Sequence, residues 1–293
     1  MISVIITNYK TWQLTEKCIE ACRQFDDQKQ ILEYIVVDDA SGENIPEILA
    51  KSEDVKIITN PVNRGYASCV NIGFINAGQE ICLLLDSDAF PMSKLSVIVQ
   101  HFTDQTDLGV LGFQLVDLQK NPTGKSEPEP NFWSVLLGQQ LFQKFGKWIR
   151  NKEMDGIVVY SCAMAVRKKA FDTVKGFDES FDFLDADLDF SMKINRSVTW
   201  KVRLAEEVIM YHEGGGSPQL TSKRVLRYYV NRFKLLRKYS LLPRPFLIKT
   251  GIYLRVSFEW LLIALTGKRK YSSEVYEDKL YSRKILIQKI FSL

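Results

Sequence analysis

The chain alternates short apolar runs with stretches of helical periodicity. Residues 3–7 read as a first strand and are followed by a helical stretch over 15–25. Residues 34–39, Tyr-Ile-Val-Val-Asp-Asp, form a second apolar run that ends in paired acids. A third strand is expected over 55–59, and a helix over 67–77 is entered through the turn Asn63-Arg64-Gly65. Next comes Ile81-Cys82-Leu83-Leu84-Leu85, then a helix over 95–102. Five consecutive apolar residues fit a strand buried on both faces, as in a parallel sheet, and the alternation as a whole predicts an α/β fold. Three strands deliver polar residues at their carboxyl ends: Thr7-Asn8, Asp38-Asp39 and Asp86-Ser87-Asp88. In a parallel sheet those ends share one edge, the edge at which open α/β sheets bind ligands.

Beyond this core the pattern loosens. Residues 117–130 are polar and proline-bearing without apolar periodicity, which predicts a mobile loop over the crevice. Residues 158–166 read as another strand. An acid-rich stretch follows, with Asp185, Asp187 and Asp189 at alternate positions ahead of an apolar-periodic helix over 190–194. Such acids suit the amino-terminal end of a helix, whose dipole favours negative charge, and suit chemistry equally. His212-Glu213-Gly214-Gly215-Gly216-Ser217 joins one of only two histidines to a glycine-rich turn, which can bring backbone amides close to a phosphate. The expected division is a body over 1–217 and a tail over 218–293.

At 293 residues and 46% apolar content the chain has ample material for a large core. Met1 leads straight into the first strand with no basic or apolar leader, so the chain is expected to stay in the cytosol. The cysteines, Cys18, Cys22, Cys69, Cys82 and Cys162, are odd in number and lack zinc-site spacing; they are expected in the core. The net charge of +4 conceals a division, because residues 216–293 carry +13 and the remainder −9. Apolar clusters between Phe246 and Leu265 are interrupted by Lys249, Arg255 and Glu259, leaving no run near the 18 or so residues that span a bilayer. Closed by Lys268-Arg269-Lys270, this tail suits an amphipathic helix on an anionic membrane surface, with packing on the body as the alternative. No nucleic-acid partner is expected, because the aromatics interleave with aliphatics and form no polar stacking platform.

The candidate chemistry begins at Asp86-Ser87-Asp88. Two carboxylates one residue apart at a strand end attract a divalent cation, although they also suit a solvated turn. No Gly-x-Gly-x-x-Gly motif opens the first helix and no Gly-Lys-Ser/Thr loop is present, which argues against a dinucleotide enzyme or a P-loop phosphotransferase.

In their order along the chain, residues 3–9, Val36-Val37-Asp38-Asp39-Ala40-Ser41, Asn63-Arg64-Gly65-Tyr66-Ala67 with Asn71-Ile72-Gly73, residues 83–88, Gly176-Phe177-Asp178-Glu179 with Asp187 and Asp189, and residues 212–217 resemble family 2 glycosyltransferases of the GT-A fold. The rhamnosyltransferase-like branch, which builds bacterial surface polysaccharides, is the nearest resemblance, and it runs over residues 1–240. It implies a Rossmann-like, mostly parallel central sheet flanked by helices, and a metal-dependent inverting transfer from a nucleotide-diphosphate sugar to a glycan or lipid-linked acceptor. It implies that Thr7, Asn8, Asp38 and Asp39 hold the nucleoside, with Asp39 accepting the imide proton of uracil or thymine. Asn63, Arg64, Gly65, Asn71 and Asp86 would meet ribose, diphosphate and sugar. Asp88 would ligate manganese or magnesium directly, His212 would reach the metal or the diphosphate, and Asp187 would be the catalytic base, with Asp185 and Asp189 next in line. Two departures from the family pattern bear on the acceptor side: Ala186 stands where a glutamate is usual, and Tyr160-Ser161-Cys162-Ala163 replaces a small Ser-Gly-Ala turn. Readings from other classes are a non-catalytic nucleotide-sugar- or glycan-binding subunit, and a nucleotidyltransferase, whose basic glycine-rich amino-terminal loop is missing.

Overall fold

The computed structural model describes residues 1–138, 141–142, 156–181, 184–212 and 221–293. In chain order the elements are β1 (Ile2–Asn8), α1 (Trp12–Phe25), β2 (Ile31–Asp38), α2 (Glu47–Ala50), β3 (Val55–Thr59), α3 (Tyr66–Asn76), β4 (Ile81–Asp86) and β5 (Phe90–Pro91). They continue with α4 (Ser96–Asp104), β6 (Leu108–Val116), β7 (Pro122–Gly124), β8 (Ser126–Pro128), α5 (Phe132–Leu137), β9 (Ile157–Val159), β10 (Ala163–Arg167), α6 (Lys168–Thr173), α7 (Ala186–Asn195) and β11 (Lys201–Tyr211). Helices α8 (Thr221–Lys238), α9 (Pro245–Thr266) and α10 (Ser273–Lys289) complete the chain. Two compact units result, Met1–Pro128 with Gly156–Gly216, and Glu129–Asp155 with Ser217–Leu293.

In the first unit the described strands pair in the order β3-β2-β1-β4-β10-β6-β11-β5, with β7 on β6 and a separate β8-β9 ribbon. Strands β3, β2, β1 and β4 are mutually parallel. Their register sets Asn8 beside Asp38 and Thr7 beside Asp86, so the three polar strand ends do share one edge. The other half of the sheet is mixed, because β10 enters antiparallel between β4 and β6, and β11 runs parallel to β6. That antiparallel entry matters for the site. Ala163 at the start of β10 pairs with Leu85, which brings the preceding turn, Tyr160–Cys162, to the carboxyl end of β4.

The apolar residues of β4 are buried throughout, as expected of a strand covered on both faces. Cys18, Ile19 and Cys22 of α1 pack with Val4, Ile6, Val36, Leu83 and Leu85 in one cluster, and all five cysteines are buried and free. Helix α3 covers β1 so closely that Gly73 leaves no room for a side chain: a Cβ there would lie 2.3 Å from Ile5 Cγ2. Phe74 of α3 stacks on Phe171, and Phe177 on Phe190.

Two sequence expectations are corrected. Residues 117–130 do not form a mobile loop. Asp117 closes a turn by accepting from the Asn121 backbone and side chain at 2.8 and 3.0 Å, and β7 and β8 follow as paired strands. These strands are held by main-chain bonds that leave no apolar period to read. The run over 158–166 is two strands, not one, because β9 pairs with β8 while β10 joins the main sheet.

The second unit is a helical body with its own core. Val135 of α5, Tyr229, Phe233 and Leu236 of α8, Ile248, Ile252 and Val256 of α9, and Leu286 of α10 pack together. Glu129–Asp155 groups with this unit, to whose core α5 contributes Val135. Helix α9 buries the i, i+4, i+8 stripe Ile248, Ile252, Val256, and leaves Phe246, Leu254, Phe258 and Leu265 more than 60% exposed. Among the described residues no helix is long and apolar enough to cross a membrane.

The contact at Gly73 yields a prediction. Gly73→Ala gains about 1 kcal/mol of helix propensity, whereas overpacking a closed core costs about 1–3 kcal/mol. Ile5 is fully buried and cannot yield, so overpacking wins. Urea unfolding should show a net loss of up to about 2 kcal/mol, and a higher midpoint would contradict the packing described.

Candidate active site

Strand β4 ends in Asp86, and the chain turns there, with the Ala89 amide donating to the Asp86 carbonyl at 3.0 Å. The turn separates three side chains. Ser87 points inward to the Thr11 hydroxyl at 2.8 Å, while Asp86 and Asp88 are half-buried at the edge. Two residues on, β5 pairs antiparallel with the end of β11, and Phe90 stacks on Tyr211 with ring centroids 4.4 Å apart. This pairing carries His212 to the acids. Its amide donates to Val116 at 2.9 Å, and its Nε2 lies 3.8 Å from Asp88 Oδ1. One ligand atom each from Asp86, Asp88 and His212 lie within 4.8 Å of one another.

Burial pushes the Asp86 carboxyl up to about 7, and the negative charges of Asp88 and Asp187 add to the rise. Its Oδ1 is cut off from solvent with no hydrogen-bond partner among the described residues. A buried, unpartnered carboxylate oxygen beside a second acid and an imidazole is a donor set that fits a manganese or magnesium ion.

The base candidate stands on the amino-terminal turn of α7. Asp185 caps that helix in the left-handed region at φ 66°, and its carbonyl accepts from the Asp189 amide at 2.9 Å. Asp187 is half-buried, and its carboxylate accepts from the Leu188 amide at 2.9 Å and the Ser161 amide at 3.4 Å. Burial, followed by the charge of Asp185, pushes Asp187 up to about 7; the two amides only partly oppose this. Asp189 is fully buried, with Lys193 Nζ at 3.7 Å, and so faces the protein interior. The turn Tyr160–Cys162 joins the two acidic centres through its main chain. The Asp86 amide donates to Cys162 O at 2.8 Å, and the Ser161 amide donates to Asp187.

At the neighbouring strand ends the polar residues mostly serve the protein itself. Asn8 Nδ2 donates to Asp38 Oδ1 at 2.6 Å, its Oδ1 accepts from Thr11 and Thr15, and Ser41 closes onto Asp38. Asn8 and Asp38 therefore form a buried brace under the edge. Asp39 accepts from Asn60 Nδ2 at 2.9 Å, the Arg64 amide at 2.8 Å and the Gly65 amide at 2.9 Å, so it latches the 63–65 loop. Burial alone would raise its pKa, but these donors outweigh burial and hold it below the usual carboxylate range. Asn63 and Arg64 are exposed on that loop, with Asn63 Nδ2 at 3.4 Å from Asp39 O. Gly65 takes φ +84°, a conformation glycine supplies without strain. Asn71 bonds both ways with Phe177 and donates to Glu179 at 3.0 Å, tethering the segment that leads to α7. Thr7 sits half-buried between β2 and β4.

The structure thus gathers Asp86, Asp88 and His212 at one point and ties Asp187 to them through one turn. Asn8, Asp38 and Asn71 stand behind this edge as braces. The glycine-rich turn after His212 lies outside the described residues. Tyr66 and Ser161 fall within the sequence motifs but without an assigned role, and Asn60 and Glu127 are contributors that the motifs do not single out. Asn60-Pro61 is a turn signal that marks Asn60; Glu127, buried and bonded to the Tyr160 hydroxyl at 2.9 Å, carries no such signal.

A family model described as glycosyl transferase family 2 matches residues 3–174. An undecaprenyl-phosphate 4-deoxy-4-formamido-L-arabinose transferase of Proteus mirabilis (strain HI4320) is 34% identical over 96 residues, covering 30% of this chain and 28% of that protein. The chain therefore matches little more than a quarter of that relative's length. Among solved structures, a mannosyltransferase from Pyrobaculum calidifontis in complex with GDP-Man and Mn2+ superposes with a TM-score of 0.59 at 14% identity, covering 98% of this chain and 86% of that one. S. aureus TarS 1-349 in complex with UDP-GlcNAc gives 0.52 at 16% identity over 85% and 66%. At such identities the likeness establishes the fold, that of GT-A glycosyltransferases.

A carboxyl held near 7 also weighs on stability. Because the folded state raises the Asp187 pKa above its unfolded value near 4, ionisation costs stability progressively as pH rises from about 4 to about 7. Asp187→Asn should therefore melt higher than the wild type at pH 8, and by less at pH 5. Equal melting temperatures at both pH values would contradict a desolvated acid at this position.

Proposed function

The chain belongs to glycosyl transferase family 2, and from that premise we propose that it moves a sugar, with inversion, from a nucleotide-diphosphate donor to a glycan or lipid-linked acceptor. Rhamnose from dTDP-rhamnose is the donor we propose, supported by the resemblance of its motifs to the rhamnosyltransferase-like branch. The observation that carries the reading is the meeting of Asp86, Asp88 and His212 within 4.8 Å at the sheet edge, with Asp187 joined to them through one turn. Asp88 and His212, with Asp86, would hold manganese or magnesium. When bound, the ion supplies positive charge against the diphosphate leaving group.

The protein's own residues supply the rest. Asp187 takes the proton from the acceptor hydroxyl as its oxygen attacks the anomeric carbon, and the bond from that carbon to the diphosphate oxygen breaks on the opposite face. One base and one displacement invert the configuration. Burial and the charge of Asp185 make Asp187 a stronger base than a solvated carboxylate, matched to reaction near neutrality. Its two amide donors, one on each carboxylate oxygen, fix the plane in which it meets the acceptor. Asp39 stays ionised and offers its remaining lone pair to a base N–H, Thr7 borders that position, and the exposed Arg64 reaches the diphosphate from the loop Asp39 latches. Asn63 and Gly65 shape that loop around the ribose.

The same reading includes a peripheral station on the inner face of the cell membrane. The Proteus mirabilis relative is named for an undecaprenyl-phosphate substrate, which supports a lipid-linked acceptor here. In the second unit, the exposed apolar residues of α9 and the +13 charge of residues 216–293 supply the two forces that bind anionic bilayers: apolar burial and electrostatic attraction of about 1 kcal/mol per basic residue near the surface.

Purified protein supplied with a panel of nucleotide sugars, with Mn2+, with Mg2+ or with chelator, should release nucleotide diphosphate with metal only. Asp187→Asn should lower transfer about 10²- to 10⁴-fold while leaving nucleotide binding intact, and wild-type transfer should rise as pH passes through about 7. Metal-independent turnover, or near wild-type transfer by the variant, would sink this assignment. Full-length protein should co-sediment with anionic liposomes at low salt. Replacing Leu254, Phe258 and Leu265 together by Gln should abolish most of that binding without lowering the melting temperature, since all three are exposed; undiminished binding would refute the membrane role of α9.

A further inference from the structure

Tyr66 is the first residue of α3, directly after the loop that Asp39 latches. Its hydroxyl donates to the Ser161 carbonyl at 3.1 Å, on the turn whose amide donates to Asp187 and whose next carbonyl accepts from Asp86. A phenol keeps its proton at neutral pH, so the hydroxyl is the donor to that carbonyl. The ring meets Phe177 edge-on at 6.4 Å. A continuous line of bonds therefore runs from Asp39 through the Arg64 and Gly65 amides to Tyr66, then through Ser161 to the base.

We propose that Tyr66 is a positioning residue that sets the orientation of Asp187 through the Tyr160–Cys162 turn, linking the donor-binding loop to the base. This rests on the reading of Asp187 as base. A turn held by its carbonyl cannot swing, so its amide stays on Asp187 Oδ2 while the Leu188 amide holds Oδ1, and the carboxylate plane is fixed with a free lone pair on each oxygen for the acceptor. Without the hydroxyl the Ser161 carbonyl loses this side-chain anchor, and a base misplaced by about 1 Å costs up to roughly 10²-fold in rate.

The test is Tyr66→Phe in the full-length protein, which keeps the ring against Phe177 and removes one oxygen. Turnover should fall about 10- to 100-fold, while affinities for nucleotide diphosphate and for Mn2+, measured by calorimetry, stay within about 3-fold. In an Asp187→Asn background the same substitution should cost nothing further, because the hydroxyl acts through that carboxylate. Wild-type turnover in Tyr66→Phe, losses that multiply in the double variant, or a loss that follows Mn2+ affinity would each overturn the proposal. If Asp187→Asn alone transfers at the wild-type rate, the assignment of the base fails and this inference falls with it. An inactive Asp187→Asn beside a fully active Tyr66→Phe removes the inference alone.

Discussion

The constraint on which the site depends is the crowding of negative charge at a poorly solvated sheet edge. Asp86, Asp88, Asp185 and Asp187 are drawn together by strand register, a tight turn and a helix cap, and two of them rest near 7 because their neighbours and their burial oppose ionisation. Left to itself, such an arrangement is destabilising. In the proposed reaction it would become useful, because a cation would neutralise one half of the charge and a proton in transit the other. The fold supports this separation by placing the acids on elements that cannot relax apart, a central strand on one side and a packed helix terminus on the other.

Much of this was legible before any coordinates. The strands of the parallel half appear as apolar runs because burial on both faces requires them, and their polar ends fall on one edge because parallel strands end together. Asp86, Asp88, His212 and Asp187 could be picked out as chemistry-bearing residues in recognisable order. The mixed half was harder to read. Strands β7 and β8 are edge strands held by main-chain bonds, so they carry no alternating pattern, and the break at residues 160–162 is a turn without glycine or proline. The packing of Val135 of α5 with α8 and α9 was also hidden, since an apolar helical stretch advertises that it packs but not on which partner.

Residues expected to touch ligand divide once their hydrogen bonds are followed. Asn8, Asp38 and Asn71 spend their polar atoms inside the protein, whereas the exposed Arg64 stands on a loop that Asp39 holds through main-chain amides. Sequence order alone cannot make that distinction. A motif records that residue types occur together, and a brace beneath a site travels with the site as faithfully as the groups that face the ligand.

The turn Tyr160–Cys162 has a consequence for how this protein would look under systematic mutagenesis. Its links to Asp86, to Asp187 and to the Tyr66 hydroxyl are all made by backbone amides and carbonyls. Exchanging the side chains of Ser161 or Cys162 for alanine leaves every one of those atoms in position. An alanine scan would thus score the turn as tolerant, and a survey of variants would find its letters free to drift, although it is the junction through which the two acidic centres are held in place. Its importance would emerge only under changes to the main chain itself: an inserted residue, a proline that removes the Ser161 amide, or an ester in place of a peptide bond.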